Sequence, residues 1–309
     1  MSIHRDQHSS SAAFSDIQER TATVSVFYDY LELTKPRLLS LVLLSTSVGF
    51  YLAMRRGVSF SYFFGVILAT AFVGAGAMAL NQVMEWKSDA KMIRTRNRPV
   101  AAGRLSPAKG LIFGLLTTII GIAYLFFFAN RGSAFFAGLT SFSYLLFYTP
   151  LKKWTSLATF AGAIPGALPP LIGWSAAGGD LNIQALSLFL IIFFWQVPHF
   201  LSIDCMYKTD YERAGFPTLA VVDKSGRVAG RQMALNVSAL LCVSLLPTIL
   251  GMTGSVYFFG TFLLGICFAA VIVYALPNLD ERARFVLRAS VAYLSLVFIL
   301  MVGDKGIGF

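Results

Sequence analysis

Phe60-Ser-Tyr-Phe-Phe-Gly-Val-Ile-Leu-Ala-Thr-Ala-Phe-Val-Gly-Ala-Gly-Ala-Met-Ala-Leu-Asn81-Gln-Val-Met-Glu85-Trp-Lys-Ser-Asp89 carries no charged side chain before Glu85. A hydrocarbon core about 30 Å thick takes roughly 20 apolar residues of helix, and residues 60–84 are long enough to cross it. Stretches of similar character recur at 37–54, 107–129, 133–149, 156–177, 183–205, 232–252, 255–275 and 286–303, so nine spanning helices are expected. Composition agrees, because 56% hydrophobic and 13% charged residues leave too little polar material for a water-facing surface. The chain is read as all-α, a polytopic membrane protein with about nine transmembrane helices around a central cavity. Residues 31–309 form one transmembrane domain. Residues 1–30 are read as a disordered cytoplasmic tail, since the first 26 are Ser-rich and polar, with Asp6, Asp16 and Glu19 where a transit peptide would avoid acids.

The net charge of +10 would suggest nucleic acid in a soluble protein. Here the basic residues fall almost entirely on one side of the expected bundle. Only Arg55, Arg56, Arg131 and Lys305 belong to the other. The positive-inside rule then places the N-terminus in the cytoplasm and the C-terminus across the membrane, and no nucleic-acid partner is expected. Cys205, Cys242 and Cys267 lie in or beside apolar stretches at no metal-binding spacing and are read as small buried hydrophobes rather than a disulfide pair.

Asn81, Glu85 and Asp89 are four residues apart, which stacks them on one face of a helix. An amide and two carboxylates in a column suit Mg²⁺, which takes few protein ligands and fills its shell with water and phosphate oxygens. Such a run is ordinarily a solvated helix end. Against that reading, Asn81 follows Ala-Met-Ala-Leu directly, so the column begins at membrane depth, where polar groups are costly and functional by default. Lys91, Arg94, Arg96 and Arg98 follow it. They can be read as positive-inside decoration, or as guanidinium forks for phosphate oxygens.

A second acidic motif ends the stretch 183–205, as Trp195-Gln196-Val-Pro198-His199-Phe-Leu-Ser-Ile-Asp204-Cys-Met-Tyr207-Lys208-Thr-Asp210-Tyr211. Four apolar stretches separate the two motifs, so both leave the membrane on the same side, as in a weak parallel repeat around one cavity. Asp204 and Asp210 are candidates for a second Mg²⁺, Asp210 reaching the site from the loop, with Lys208 and Arg213 beside a diphosphate. A structural ion pair between Lys208 and one of these aspartates is the alternative. Pro198 removes a backbone donor, and Gln196 and His199 share the polar break around it. A packing role for His199 competes evenly with a ligand role.

These runs resemble the UbiA superfamily of intramembrane aromatic prenyltransferases, from Thr34-Lys35-Pro36-Arg37 to the last apolar stretch, about residues 30–303. Asp89-x-x-Met92-x-Arg94-Thr95-x-x-Arg98-Pro99, Tyr148-Thr149-x-Leu151-Lys152, Trp195-Gln196-x-Pro198-His199 and Tyr207-Lys208-x-Asp210-Tyr211-x-x-Ala214-Gly215 are most similar to its haem-directed branch. Gln82 and Glu85 depart from the Asp common at these places in the superfamily, which bears on metal geometry. The resemblance implies Mg²⁺-assisted ionisation of farnesyl diphosphate and attack by a vinyl group of haem b, giving haem O. It implies metal and catalytic roles for Asn81, Glu85, Asp89, Asp204 and Asp210. Arg94, Arg98, Lys152, Lys208 and Arg213 would bind diphosphate, and His199 and Gln196 would meet haem. Expected partners are haem b and farnesyl diphosphate as substrates and the lipid bilayer. Haem A synthase and terminal-oxidase assembly factors are further candidates. The expected location is a bacterial inner membrane in preference to a mitochondrial inner membrane, with the C-terminus periplasmic. A prenyltransferase for another aromatic acceptor, and an ion-coupled carrier using both motifs as cation sites, are the competing readings.

Overall fold

The computed structural model describes residues 25–54 and 58–306. Most of the expected tail lies outside the described residues, as do Arg55 and Arg56. Helix begins earlier than the sequence suggested: residues 25–33 already form α1. The chain continues through α2 (Pro36–Ala53), α3 (Phe60–Asp89), α4 (Pro107–Tyr124), α5 (Arg131–Phe142), α6 (Ala158–Ala167), α7 (Pro169–Ala176) and α8 (Ile183–Met206). After α8 come α9 (Lys208–Ala214), α10 (Leu219–Val222), α11 (Arg227–Ser244), α12 (Ser255–Ala275) and α13 (Leu279–Gly303). Local chemistry sets the starts. Ser59, Ser106 and Asn182 cap α3, α4 and α8 by accepting backbone N–H bonds, which satisfies donors that have no partner within the helix.

Among the described residues seven helices are long and apolar enough to cross a membrane. The chain is a multi-pass membrane protein. The longest of the seven, Ser255–Gly303, has 49 residues, more than twice the roughly 20 that one crossing takes. It folds back at the Leu276–Asn278 turn, so that α12 and α13 pack against each other and Gly254 N–H meets the Asp304 carbonyl at 2.9 Å. The expected stretch 156–177 is not one helix but two, α6 and α7. Pro169 and Pro170 open the second of them, where proline is tolerated because the first N–H groups have no helical acceptor.

The two largest apolar clusters among the described residues hold the bundle. Phe50, Val66, Val73, Leu125 and Ile172 fill one, and Trp195, Leu201, Met233, Tyr293 and Val297 lie in the other. Long apolar side chains cover the outside, as on α4, where Ile112, Leu116 and Ile119 are exposed in the manner of a lipid-facing surface. Cys242 and Cys267 are exposed there too, while Cys205 is buried and all three thiols are free. Burial was thus the wrong expectation for two of them. A small apolar side chain is equally at home against lipid.

Close helix contact is built on small residues, as expected where lipid removes the usual hydrophobic drive. A Cβ at Gly173 on α7 would overlap the Thr46 carbonyl of α2, and one at Gly49 would overlap the Pro170 carbonyl. Both obstacles are backbone and cannot rotate aside. Gly173→Val is therefore expected to separate α2 from α7 and lower the thermal midpoint in detergent, with Gly173→Ala intermediate. A melt unchanged by Gly173→Val would show that the contact does not hold the bundle.

The packing also separates the two ends of the molecule. Asp29 and Glu32 of α1 pair with Arg104 at 2.7 and 2.6 Å, and Met92 packs against Tyr211 and Phe216. The segment before α2, the α3–α4 loop and the α8–α11 loop thus share one end. At the other, Lys305 donates to the carbonyls of Tyr51 and Met54, at 2.6 and 3.1 Å. The first and last described helices therefore leave at opposite ends.

Candidate functional site

The column at the end of α3 is buried, with Asn81, Glu85 and Asp89 only 2%, 3% and 1% exposed. Each member meets a cation from another part of the chain. Lys35 Nζ donates to Asn81 Oδ1 at 2.9 Å, Lys152 Nζ lies 3.5 Å from both Glu85 oxygens, and Arg98 reaches both oxygens of Asp89 at 2.9 and 2.8 Å. The result is a ladder of acceptors faced by a ladder of donors. Asn81 is held from its amide side as well, donating to Thr149 Oγ1 at 3.1 Å.

The elements carrying these cations are bent to deliver them. Lys35, between α1 and α2, has φ 47° and ψ 65°, the only left-handed residue other than glycine among those described. That conformation costs a side-chain-bearing residue energy and persists only where its surroundings impose it. Gln82 supplies part of that constraint, its Nε2 donating to the Leu33 carbonyl at 3.0 Å. Lys152 follows a π-helical stretch, Ser143–Tyr148. Pro150 has no N–H to give, and Thr149 directs both its N–H and its hydroxyl to the Tyr144 carbonyl. Wide turns of this kind recur at functional sites.

The second motif meets the first but divides its labour. Asp204 is buried on α8, with Lys152 and Arg94 within Coulombic range of its carboxylate. Tyr148 and Tyr211 lie within range of both Glu85 and Asp204, so the two acidic helix ends face one space. Asp210 does something else. Its two oxygens accept the backbone N–H groups of Ile93 and Arg94 at 3.0 and 3.1 Å, which fixes the loop carrying Arg94 and Arg98. Arg94 lies over the Tyr207 ring, 4.6 Å from its centroid, and donates to Tyr211 Oη at 3.3 Å.

Other candidates stand apart from this cluster. Arg213 is half exposed and pairs with Asp210 at 3.4 Å. Lys208, half-buried at the start of α9, forms no ion pair among the described residues. Gln196 is buried against Gly166 of α6, and its Oε1 has no hydrogen-bond partner among the described residues. His199 turns toward α13, with Nδ1 2.9 Å from Ser290 Oγ. The two residues of the polar break therefore address different neighbours.

The electrostatics are those of a site short of negative charge. Burial, with the Arg98 guanidinium beside it, pushes the Lys35 ammonium down to about 7. Burial opposes the Lys152 charge as well, yet the Glu85 carboxylate holds its ammonium above the usual lysine value. No three His, Cys, Asp or Glu side chains converge as a metal cage among the described residues. Asn81, Glu85 and Asp89 offer an amide and two carboxylates, a set that fits Mg²⁺ only with water or phosphate oxygens completing its shell.

Comparison with known proteins places this chain in a family. The UbiA prenyltransferase family model matches residues 42–297. The chain belongs to the UbiA prenyltransferase family. A relative from Solibacter usitatus named protoheme IX farnesyltransferase is 42% identical over 287 residues, 90% of this chain and 98% of the relative. One of the same name from Flavobacterium johnsoniae is 42% identical over 291 residues, 91% of this chain and 95% of its own length. The UbiA fold is seen directly in a digeranylgeranylglyceryl phosphate synthase structure, with TM-score 0.76 and 19% identity, covering 90% of this chain and 98% of that one. A UbiA homologue from Archaeoglobus fulgidus, solved with geranyl diphosphate and Mg²⁺, has TM-score 0.67 and 15% identity and covers 88% of this chain and 99% of its own.

The sequence singled out the column of Asn81, Glu85 and Asp89 but gave no site role to Lys35, which the structure places 2.9 Å from Asn81 Oδ1. The available signals for Lys35 were its place in Thr34-Lys35-Pro36-Arg37, where the family resemblance begins, and its position directly before Pro36 at a helix start. Gln82, noticed as a departure from the superfamily pattern, serves the backbone before Lys35 rather than the column itself.

Proposed function

We propose that this chain transfers the farnesyl group of farnesyl diphosphate to a vinyl group of protohaem IX, haem b, giving haem O and pyrophosphate with the uptake of one water. The ladder of Lys35, Lys152 and Arg98 against Asn81, Glu85 and Asp89 carries this reading, since diphosphate needs cations and its metal needs oxygen donors at one place. The names of near-full-length relatives support the choice of prenyl donor and acceptor. Bound through Asn81, Glu85 and Asp89, with Asp204 opposite, Mg²⁺ would supply Lewis-acid stabilisation of the departing diphosphate.

The remaining steps rest on the chain itself. Lys35, Lys152, Arg94 and Arg98 would grip the diphosphate oxygens and stabilise negative charge as the allylic C–O bond breaks. The vinyl carbon of haem b then bonds to the allylic carbon, and water captures the cation left on the porphyrin side with loss of a proton. The apolar bundle would keep water from the allylic carbon until the new C–C bond has formed. Tyr148 and Tyr211, between the two acidic helix ends, would form the wall beside the diphosphate. Asp210 would act through the loop it anchors, a revision of the direct metal role expected from sequence. Asp210→Ala should then raise the KM for farnesyl diphosphate more than it lowers kcat. Steady-state kinetics showing a pure kcat loss would return Asp210 to the metal site.

The proposed setting is a bacterial inner membrane, with the end bearing the site in the cytoplasm. The bias of basic loops toward that end supports it. Incubating membranes that contain the protein with labelled farnesyl diphosphate and either haem b or a phenolic acid tests the reaction. Label in haem O supports the reading, and label in the phenolic product alone would overturn it. Release of pyrophosphate with Mg²⁺ separates an enzyme from an ion carrier.

A further inference from the structure

Trp195 and His199 are four residues apart on α8, and a single residue of α13 engages both. Trp195 Nε1 donates to the Ser290 backbone carbonyl at 2.6 Å, while Ser290 Oγ lies 2.9 Å from His199 Nδ1. The indole stacks on the imidazole, with centroids 4.7 Å apart and planes inclined by 27°. The ring is thus fixed in position and in tilt.

Hydrogen-bond counting then fixes its proton. A serine hydroxyl has one hydrogen to give. That hydrogen goes to the Leu287 carbonyl, 2.7 Å away, because two oxygens this close with no hydrogen between them would repel. Ser290 Oγ must therefore accept from His199, which puts the imidazole proton on Nδ1. In a neutral ring Nε2 is left as a bare lone pair, and it has no protein partner among the described residues. A lone pair of this kind cannot donate to a carboxylate such as a haem propionate. It can bind a metal ion of intermediate softness, and an orienting bond at the other ring nitrogen is the usual companion of such ligation.

We propose that Ser290 is a positioning residue that locks His199 in the Nδ1–H tautomer, so that Nε2 takes the iron of the haem acceptor rather than its propionates. This rests on the acceptor assigned under the proposed function. The full chain, purified in detergent and titrated with ferric haem b, tests it through the Soret band, electron paramagnetic resonance and the iron–histidine vibration.

Wild type should show ligation by one histidine. His199→Ala should lose that signature and regain it with added imidazole. Ser290→Ala should weaken haem binding by about 10- to 100-fold, the range seen when a ligand's orienting partner is removed. It should also degrade the iron–histidine signal while leaving farnesyl diphosphate binding unchanged. Ser290→Thr, which keeps an acceptor oxygen, should restore both, and Ser290→Cys, with a weaker acceptor, should fall between and serves if the alanine variant does not fold. An axial signature that survives His199→Ala, or haem affinity indifferent to every Ser290 variant, would overturn the proposal. If wild type forms haem O while the signature ignores His199, the iron assignment fails and prenyl transfer stands. A signature dependent on His199 without haem O formation supports the ligand and defeats the reaction.

Discussion

Asp89→Ala is expected to reduce turnover by at least about 100-fold, with no recovery at any Mg²⁺ concentration. Asp89 is almost fully buried, and both its oxygens are held by one guanidinium nitrogen of Arg98. Removing one partner of a buried ion pair strands the other, at a cost of about 3–5 kcal/mol. In the alanine variant Arg98 is freed to collapse onto Glu85 or a bound diphosphate, while the column keeps one carboxylate. Losing a single group placed to stabilise transition-state charge costs about 10²–10³ in rate, and under the proposed function Asp89 would contribute both as a metal ligand and as the residue that orients Arg98. Pyrophosphate release followed across a Mg²⁺ titration is the measurement. Asp89→Asn separates the two contributions, because the amide keeps one acceptor oxygen for Arg98 but loses the charge. Full activity in the alanine variant at high Mg²⁺ would remove Asp89 from the site.

The same ladder explains why metal and diphosphate should bind together. Glu85 and Asp89 already pair with Lys152 and Arg98, and the charges of Lys35, Arg94 and Asp204 act within the same cluster. A lone divalent cation would meet those four cations in a medium that screens charge poorly. A lone diphosphate would meet the carboxylates. Only the pair leaves the balance of the site nearly unchanged.

How far the sequence showed this depends on the range of the interaction. The column of Asn81, Glu85 and Asp89 was legible because helix period alone stacks residues four apart. The apolar stretches were legible because bilayer thickness sets their length. The break between α6 and α7 was visible only as Pro169-Pro170, the pair on which the second helix opens. The loop-anchoring contacts of Asp210 were not legible, because nothing local reveals that its oxygens accept the N–H groups of Ile93 and Arg94, more than a hundred residues away in the chain. The same limit hid Ser290, which has no pattern of its own and acts only where α13 crosses α8.

Lys35→Met is expected to raise the KM for farnesyl diphosphate by about 10- to 100-fold, the equivalent of a charge-assisted hydrogen bond worth about 1.5–3 kcal/mol. Methionine keeps most of the length and apolar stem of lysine while removing its charge. In the structure Lys35 spends its ammonium on Asn81, a neutral acceptor, although burial and a neighbouring guanidinium both work against its charge. An incoming diphosphate would relieve that penalty, so the lysine is placed to respond to substrate rather than to hold the resting fold. Lys35→Arg should not restore the wild-type KM, because a planar fork cannot replace a compact ammonium at the tip of a constrained left-handed turn. Gln82→Leu, which removes the donor to the Leu33 carbonyl, should reproduce part of the same KM defect with Lys35 intact. If Lys35→Met binds substrate normally and only loses thermal stability, the turn at Lys35 is a structural joint and the diphosphate is held by Lys152, Arg94 and Arg98 alone.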